Sequence, residues 1–384
     1  MIPLSVPNIS GREWDYVKEC LDTEWVSSAG KYVDKFEEEI ASYTKSKYAI
    51  ACTNGTSALQ VSLRLVGVKD GDEVIVPSLT FIAPVNAIKY NNANPIFMDA
   101  DQYYNIDISK TVDFIKNETY FKNGYTYNNI TKKRISAIVP VHMWGNAVNL
   151  DDLIPICEER NISVIEDASE SLGSYYKEGK HKNHFTGSVG KLGCLSFNGN
   201  KIITTGGGGM ILTNDKTLAE KAKYLTTQAK DDSIRYIHND IGYNFRLTNL
   251  QAAIGVAQLE QLRIFLKRKK EIYHYYKSQI EKINGLVIAD VPKYSLNNHW
   301  MILLQIDEKI YGKDREGLMK YLSDNGVQTR PAWAPIHLQI PYKNYQSFNI
   351  QKTKELVNNS LCLPSSTNIS TENLDKVISS LDYS

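Results

Sequence analysis

The chain has 384 residues, long enough for two domains and a large buried core, and its 42% hydrophobic and 23% charged residues are ordinary for a soluble globular protein. A formal net charge of +1 argues against nucleic acid or an anionic membrane surface as partner, and no apolar run approaches the roughly 20 residues that span a bilayer. Five scattered cysteines (Cys20, Cys52, Cys157, Cys194 and Cys362), never in Cys-x-x-Cys spacing, fit reduced thiols in a cytoplasmic protein, with no disulfide framework or zinc site and no secretion signal over residues 1–7.

From about residue 48 to 213 short apolar strands alternate with amphipathic helices. Residues 48–52 read as a strand and 55–66 as a helix; 73–76, 95–98, 138–141 and 162–166 read as further strands, with helices at 83–90 and 150–160 between them. A last strand is expected at 208–213. Uninterrupted apolar strands separated by helices predict an α/β fold with a mostly parallel sheet, of a seven-stranded type, covered on both faces. Residues 249 to about 283 carry a long, charge-laced helical pattern stopped by Gly285. A strand at 300–306 and a helix at 314–324 follow, in what reads as a smaller α+β domain. The expected division is 1–260 for the large domain and 261–384 for the small one, joined by the long helix. The basic run Lys267-Arg268-Lys269-Lys270 reads as a solvated helix face in preference to a nucleic-acid patch.

Three segments carry chemistry. Thr53-Asn54-Gly55-Thr56-Ser57-Ala58-Leu59 sits at a strand-to-helix junction, where open helix N–H groups, two hydroxyls and a glycine suit a phosphate; a plain cap, with Thr56 or Ser57 satisfying the first turn, is the other reading. The strand at 162–166 delivers the carboxylate of Asp167 at its end. Lys201 follows another apolar strand end, Ser196-Phe197, among polar and flexible residues that run into the glycines 206–209. A lysine so placed is poor packing material and good Schiff-base chemistry. Lysine and aspartate on neighbouring strand ends are what a pyridoxal phosphate (PLP) enzyme needs, the acid keeping the pyridine nitrogen protonated. The glycine run opens no helix in the manner of a dinucleotide or phosphate loop, and the seven histidines show no metal-ligand spacing. Phe81, at a helix start, is placed either to stack on a planar cofactor or to fill the core.

Together these segments resemble the DegT/DnrJ/EryC1/StrS sugar aminotransferases, PLP enzymes of fold type I, over nearly the whole chain. The motifs that carry the resemblance are 54–59, Glu166-Asp167-Ala168-Ser169-Glu170-Ser171, Ser196-Phe197-(x)3-Lys201 and Gly242-Tyr243-Asn244-Phe245-Arg246-Leu247-Thr248. The resemblance implies that Lys201 holds PLP and shuttles a proton, and that Asp167 pairs with the ring nitrogen. Gly55, Thr56, Ser57 and Ser196 would surround the phosphate, joined by Asn244 from the partner of a homodimer, with Phe81 stacked on the ring. Position 170, commonly glutamine in the family and in contact with the ring hydroxyl, is Glu170 here.

The resemblance also places Arg330, Trp333 and His337 in a loop that meets a nucleotide-sugar, against the alternative of a proline-ordered structural loop. Arg246 would hold the carboxylate of the L-glutamate donor or form a salt bridge in the dimer. Phrases at 197–209 and 227–232 look like the subgroup that makes a 4-amino sugar on the route to legionaminic-type nonulosonic acids. The implied reaction is amination at C4 of a nucleotide-linked 4-keto-6-deoxy-N-acetylhexosamine. A dehydratase on the same scaffold, whose relatives carry histidine in place of the lysine, and a non-catalytic PLP-binding regulator are the alternatives.

Overall fold

The computed structural model describes residues 1–232 and 234–382. Its centre is a 10-stranded sheet. Along the main path the strands run Tyr48–Cys52, Gly209–Thr213, Leu192–Ser196, Ser163–Asp167, Arg134–Ile138, Glu73–Pro77, Asn94–Met98 and Ser347–Phe348. Pairing is parallel from Leu192–Ser196 to the Ser347–Phe348 edge, whereas Gly209–Thr213 is antiparallel to both its neighbours. A hairpin of Thr119–Lys122 and Tyr125–Asn128 extends from Arg134–Ile138.

The physical reason for the apolar runs is visible in Glu73–Pro77. Val74 and Val76 enter one core and Ile75 the opposite one, each without exposure, because successive side chains of a strand point to opposite faces and both faces are covered here. The strand expected at 138–141 lies earlier, at Arg134–Ile138. Pro140 has no N–H to continue a ladder, although Val141 still bridges Asp167.

A second sheet of four antiparallel strands, in the order Leu286–Ile288, Ile302–Ile306, Ser360–Leu363 and Arg330–Pro331, has its own core with the helices Arg315–Asp324 and Thr371–Leu381. The helix Asn249–Ile280 spans both cores. Thr248 starts it with a capping box to Gln251. At 32 residues it is about 48 Å long. Ala252, Ala253, Val256 and Ala257 pack beneath the large sheet, and Ile272, Tyr273, Tyr276 and Ile280 beneath the small one. The helix ends before Gly285, whose φ of +82° belongs to the turn that follows.

The basic run is not a uniformly solvated face. Lys267 and Lys270 are exposed, but Lys269 is buried and donates to the carbonyl of Trp300 (2.8 Å) and to the carbonyl and hydroxyl of Ser365. Among the described residues no helix is long and apolar enough to cross a membrane, and no three His, Cys, Asp or Glu side chains are grouped to hold a metal ion. All five cysteines are free and buried.

Candidate active site

The strands Tyr48–Cys52, Glu73–Pro77, Ser163–Asp167 and Leu192–Ser196 end at the same edge of the large sheet, so the segments following them meet there. They border a cavity of about 700 Å³. Its lining includes Gly55, Thr56, Phe81, Asp167, Glu170, Ser196 and Lys201, and on the side of the small sheet Trp300, Arg330 and Trp333.

Alternation along Ser163–Asp167 decides which of two adjacent carboxylates faces the cavity. Glu166 turns away. It accepts N–H bonds from Gly187, Val189 and Gly190 and one from Nε2 of His142 at 2.8 Å. His142 accepts the N–H of Val148 at Nδ1, which leaves the ring proton on Nε2. Burial would raise Glu166, but these donors hold it below the usual carboxylate range. Asp167 faces the cavity, 4% exposed, and its Oδ1 accepts the N–H of Ser169 at 3.0 Å. Burial raises its pKa, an effect that the Ser169 bonds and the field of Lys201 reduce without cancelling.

Lys201 enters from the loop after Leu192–Ser196 with 13% of its side chain exposed. Its Nζ lies 4.0 Å from the centroid of the Trp300 ring and 3.8 Å from Oε1 of Glu170. Burial lowers the pKa of this amine, and the fields of Glu170 and Asp167 oppose the fall. An amine drawn toward neutrality by desolvation is the form that attacks a carbonyl. Trp300 is itself fixed by its indole N–H, which donates to the carbonyl of Asn200 at 2.5 Å. Glu170, pushed up to about 7 by burial, accepts the N–H of Trp144 through Oε2 at 2.8 Å.

The donor set suits PLP. The start of the helix Gly55–Leu65 faces the cavity with Thr56 beside it and Ser196 opposite. The N-cap is Asn54, whose Oδ1 accepts the N–H of Ser57 at 2.8 Å. The hydroxyls of Thr56 and Ser57 are therefore not needed for capping. A Cβ at Gly55 would stand 2.9 Å from Ser196 Cβ, so only glycine lets the helix start so close to the neighbouring strand. Phe81 is 53% exposed at the N-cap of Ile82–Tyr90 and meets Trp333 edge-on at 5.4 Å.

Four expected residues do not line this cavity. Ser57 is buried behind the helix start. His337 turns its Nδ1 to the hydroxyl of Ser78, beneath the cavity wall. Asn244 and Arg246 both lie outside the lining, where Oδ1 of the exposed Asn244 accepts from Nε of Arg246. Sequence reasoning missed Trp300, Thr80 and Trp144. The polar run Asn297-Asn298-His299 before an apolar strand was the one available sign of Trp300.

A model of the DegT/DnrJ/EryC1/StrS aminotransferase family matches residues 7–382. A GDP-perosamine synthase of Escherichia coli O157:H7 is 38% identical, covering 99% of this chain and 98% of that protein. One of Caulobacter vibrioides is 36% identical, covering 99% and 97%. Among solved structures, DesI in the presence of its TDP-sugar product matches with a TM-score of 0.86 at 27% identity, over 99% of this chain and 91% of DesI.

Proposed function

The chain belongs to the DegT/DnrJ/EryC1/StrS aminotransferase family and is a sugar aminotransferase, and on that premise we propose that it moves the amino group of L-glutamate to C4 of a nucleotide-linked 4-keto-6-deoxyhexose for a bacterial surface polysaccharide. The observation that carries this reading is the convergence of Lys201 and Asp167 on one cavity, between an aromatic side chain and a helix start. When bound there, PLP supplies the electron sink for exchanging an amine between glutamate and the keto carbon.

The chain's own groups do the rest. Asp167, once anionic, holds a proton on the ring nitrogen. Lys201 Nζ anchors the cofactor, then carries a proton to and from the substrate carbon. The first turn of Gly55–Leu65, with Thr56 and Ser196, would take the phosphate, and Phe81 would stack on the ring. Asn244 joins that phosphate site from a partner subunit, with Arg246 beside it to meet the donor's carboxylate. Two observations support a homodimer: Asn244 lies outside its own protomer's cavity, and Ile234, Tyr236 and Ile241 nearby are 85%, 70% and 79% exposed, an apolar surface that a second copy would cover. Residues 1–260 would form the PLP-binding domain and 261–384 the small C-terminal domain joined by the long helix, from which Ser347–Phe348 returns to the edge of the large sheet.

Two sugars share this chemistry. The phrases at 197–209 and 227–232 favour the N-acetylated, legionaminic-type substrate. The names of the two curated relatives favour a GDP-linked sugar leading to perosamine. Offering PLP-loaded protein glutamate with UDP-linked and GDP-linked 4-keto sugars separately, and assigning the C4 configuration of the product by NMR, decides between them. Absence of 2-oxoglutarate with both would end the transfer reading.

A further inference from the structure

The short 3-10 turn Met143–Gly145 is held with unusual completeness. Met143 donates its N–H to Asn105, Trp144 its N–H to Glu170, and Ser174 its hydroxyl to the carbonyl of Gly145, all between 2.7 and 3.1 Å. A Cβ at Gly145 would stand 2.1 Å from Oδ1 of Asn298. Trp144 itself is left-handed, at φ 51° and ψ 30°, a costly conformation for a bulky side chain that persists only where its surroundings enforce it. Its ring is wedged between Tyr104 (5.1 Å) and Trp333 (5.3 Å).

Yet in this tightly bonded turn the indole Nε1 is buried with no hydrogen-bond partner among the described residues. The same holds for Oγ1 of Thr80, which is wholly buried beside Phe81. Both residues line the cavity. A buried donor left unpaired is costly, and the cost is removed when a ligand supplies the missing atom.

We infer that Trp144 Nε1–H and Thr80 Oγ1 are the polar contacts that grip the hexose of the acceptor sugar, an inference that rests on the nucleotide-sugar reading above. An indole N–H only donates, so its partner is an oxygen acceptor, while a threonine hydroxyl both donates and accepts. Neither group is charged. The pair therefore suits a neutral hydroxyl or carbonyl oxygen better than the carboxylates of glutamate, which call for a cation. Trp333, half-buried in the cavity lining beside Phe81, supplies an apolar surface that a pyranose ring packs against.

The test follows the two half-reactions of the PLP-loaded enzyme separately by stopped-flow absorbance. Glutamate drives the first. The second uses GDP-4-keto-6-deoxymannose and UDP-linked 4-keto-6-deoxy-N-acetylhexosamine as probes. Trp144→Phe and Thr80→Val should each raise the sugar concentration for half-maximal rate about tenfold. The glutamate half-reaction and the visible spectrum should stay as in the wild type, and Thr80→Ser should restore the sugar step. An unchanged sugar step overturns the inference. That is also the result expected if a single water in the cavity of about 20 Å³ behind Trp144 serves its N–H. A parallel fall in both half-reactions overturns it too, by showing a structural role. If Phe at 144 disturbs folding, the Thr80 pair decides alone. A wild-type enzyme that accepts glutamate's amine but passes it to neither sugar removes the sugar reading, and this inference with it.

Discussion

The Nζ of Lys201 lies 3.8 Å from Oε1 of Glu170, and neither side chain is more than 13% exposed. Burial pulls the lysine's pKa down and pushes the carboxyl's up to about 7, while the field of Glu170 is the larger of the two that raise the lysine again. Replacing Glu170 by glutamine removes that field and keeps an acceptor for the N–H of Trp144. The lysine's pKa then falls further, and more of the amine is uncharged at a given pH. Covalent capture of PLP by the cofactor-free protein, followed by its visible absorbance against pH, should have its midpoint at lower pH in Glu170→Gln. A midpoint that stays put or rises contradicts the coupling.

Lys201→Ala should lower turnover by at least about a thousandfold and abolish the visible band of bound cofactor. The fold should survive. The substitution removes a cation that burial disfavours, and its former partner is poised to go neutral. Circular dichroism melts within a few degrees of the wild type are expected. Retained activity with a normal spectrum would mean that another lysine holds the cofactor.

Asp167→Asn preserves the shape of the pocket and the strand ladder but replaces the carboxylate with a neutral amide, which cannot hold a proton on a ring nitrogen. PLP should still bind. The single-turnover rate of proton transfer with glutamate should fall by roughly a hundredfold to ten-thousandfold. An unchanged single-turnover rate would show that ring protonation does not depend on this residue.

The parts of the site that were legible in the sequence share one cause. Thr56, Phe81 and Lys201 each follow a strand end and Asp167 is the last residue of its strand, and parallel strands bring their carboxyl ends to one edge, so local pattern was enough to gather them. What stayed hidden depends on packing between distant segments. Trp300 arrives from the small-sheet side of the chain. His337 sits in the expected loop, yet the reach of its ring to Ser78 is set by tertiary contacts. The hairpin Thr119–Lys122 and Tyr125–Asn128 was missed because its threonine, tyrosine, lysine and asparagine residues give little apolar alternation. Lys269 was hidden by its basic neighbours.

Lys269 allows a measurement on stability that is independent of the cofactor. Among the described residues its ammonium reaches only uncharged oxygens of Trp300 and Ser365, and burial pulls its pKa down to about 7. An unfolded chain keeps this lysine protonated up to about pH 10.4. Between about pH 7 and 10 the unfolded state therefore binds more protons at this site than the native state, and the site's contribution to stability rises with pH across that window. Buried cysteines such as Cys157 and Cys362, pushed up to about 12, act in the opposite direction above about pH 9. Comparison with Lys269→Met isolates the lysine, since the thiols are common to both proteins. The difference in urea-unfolding free energy, wild type minus Lys269→Met, should increase from pH 7 to 9. At pH 7 the variant should be about 1–3 kcal/mol less stable, because the buried carbonyl of Ser365 loses its donor and that of Trp300 keeps only the Ser365 hydroxyl. A difference that stays flat with pH would show that the three oxygens around the ammonium keep it fully protonated in the native state.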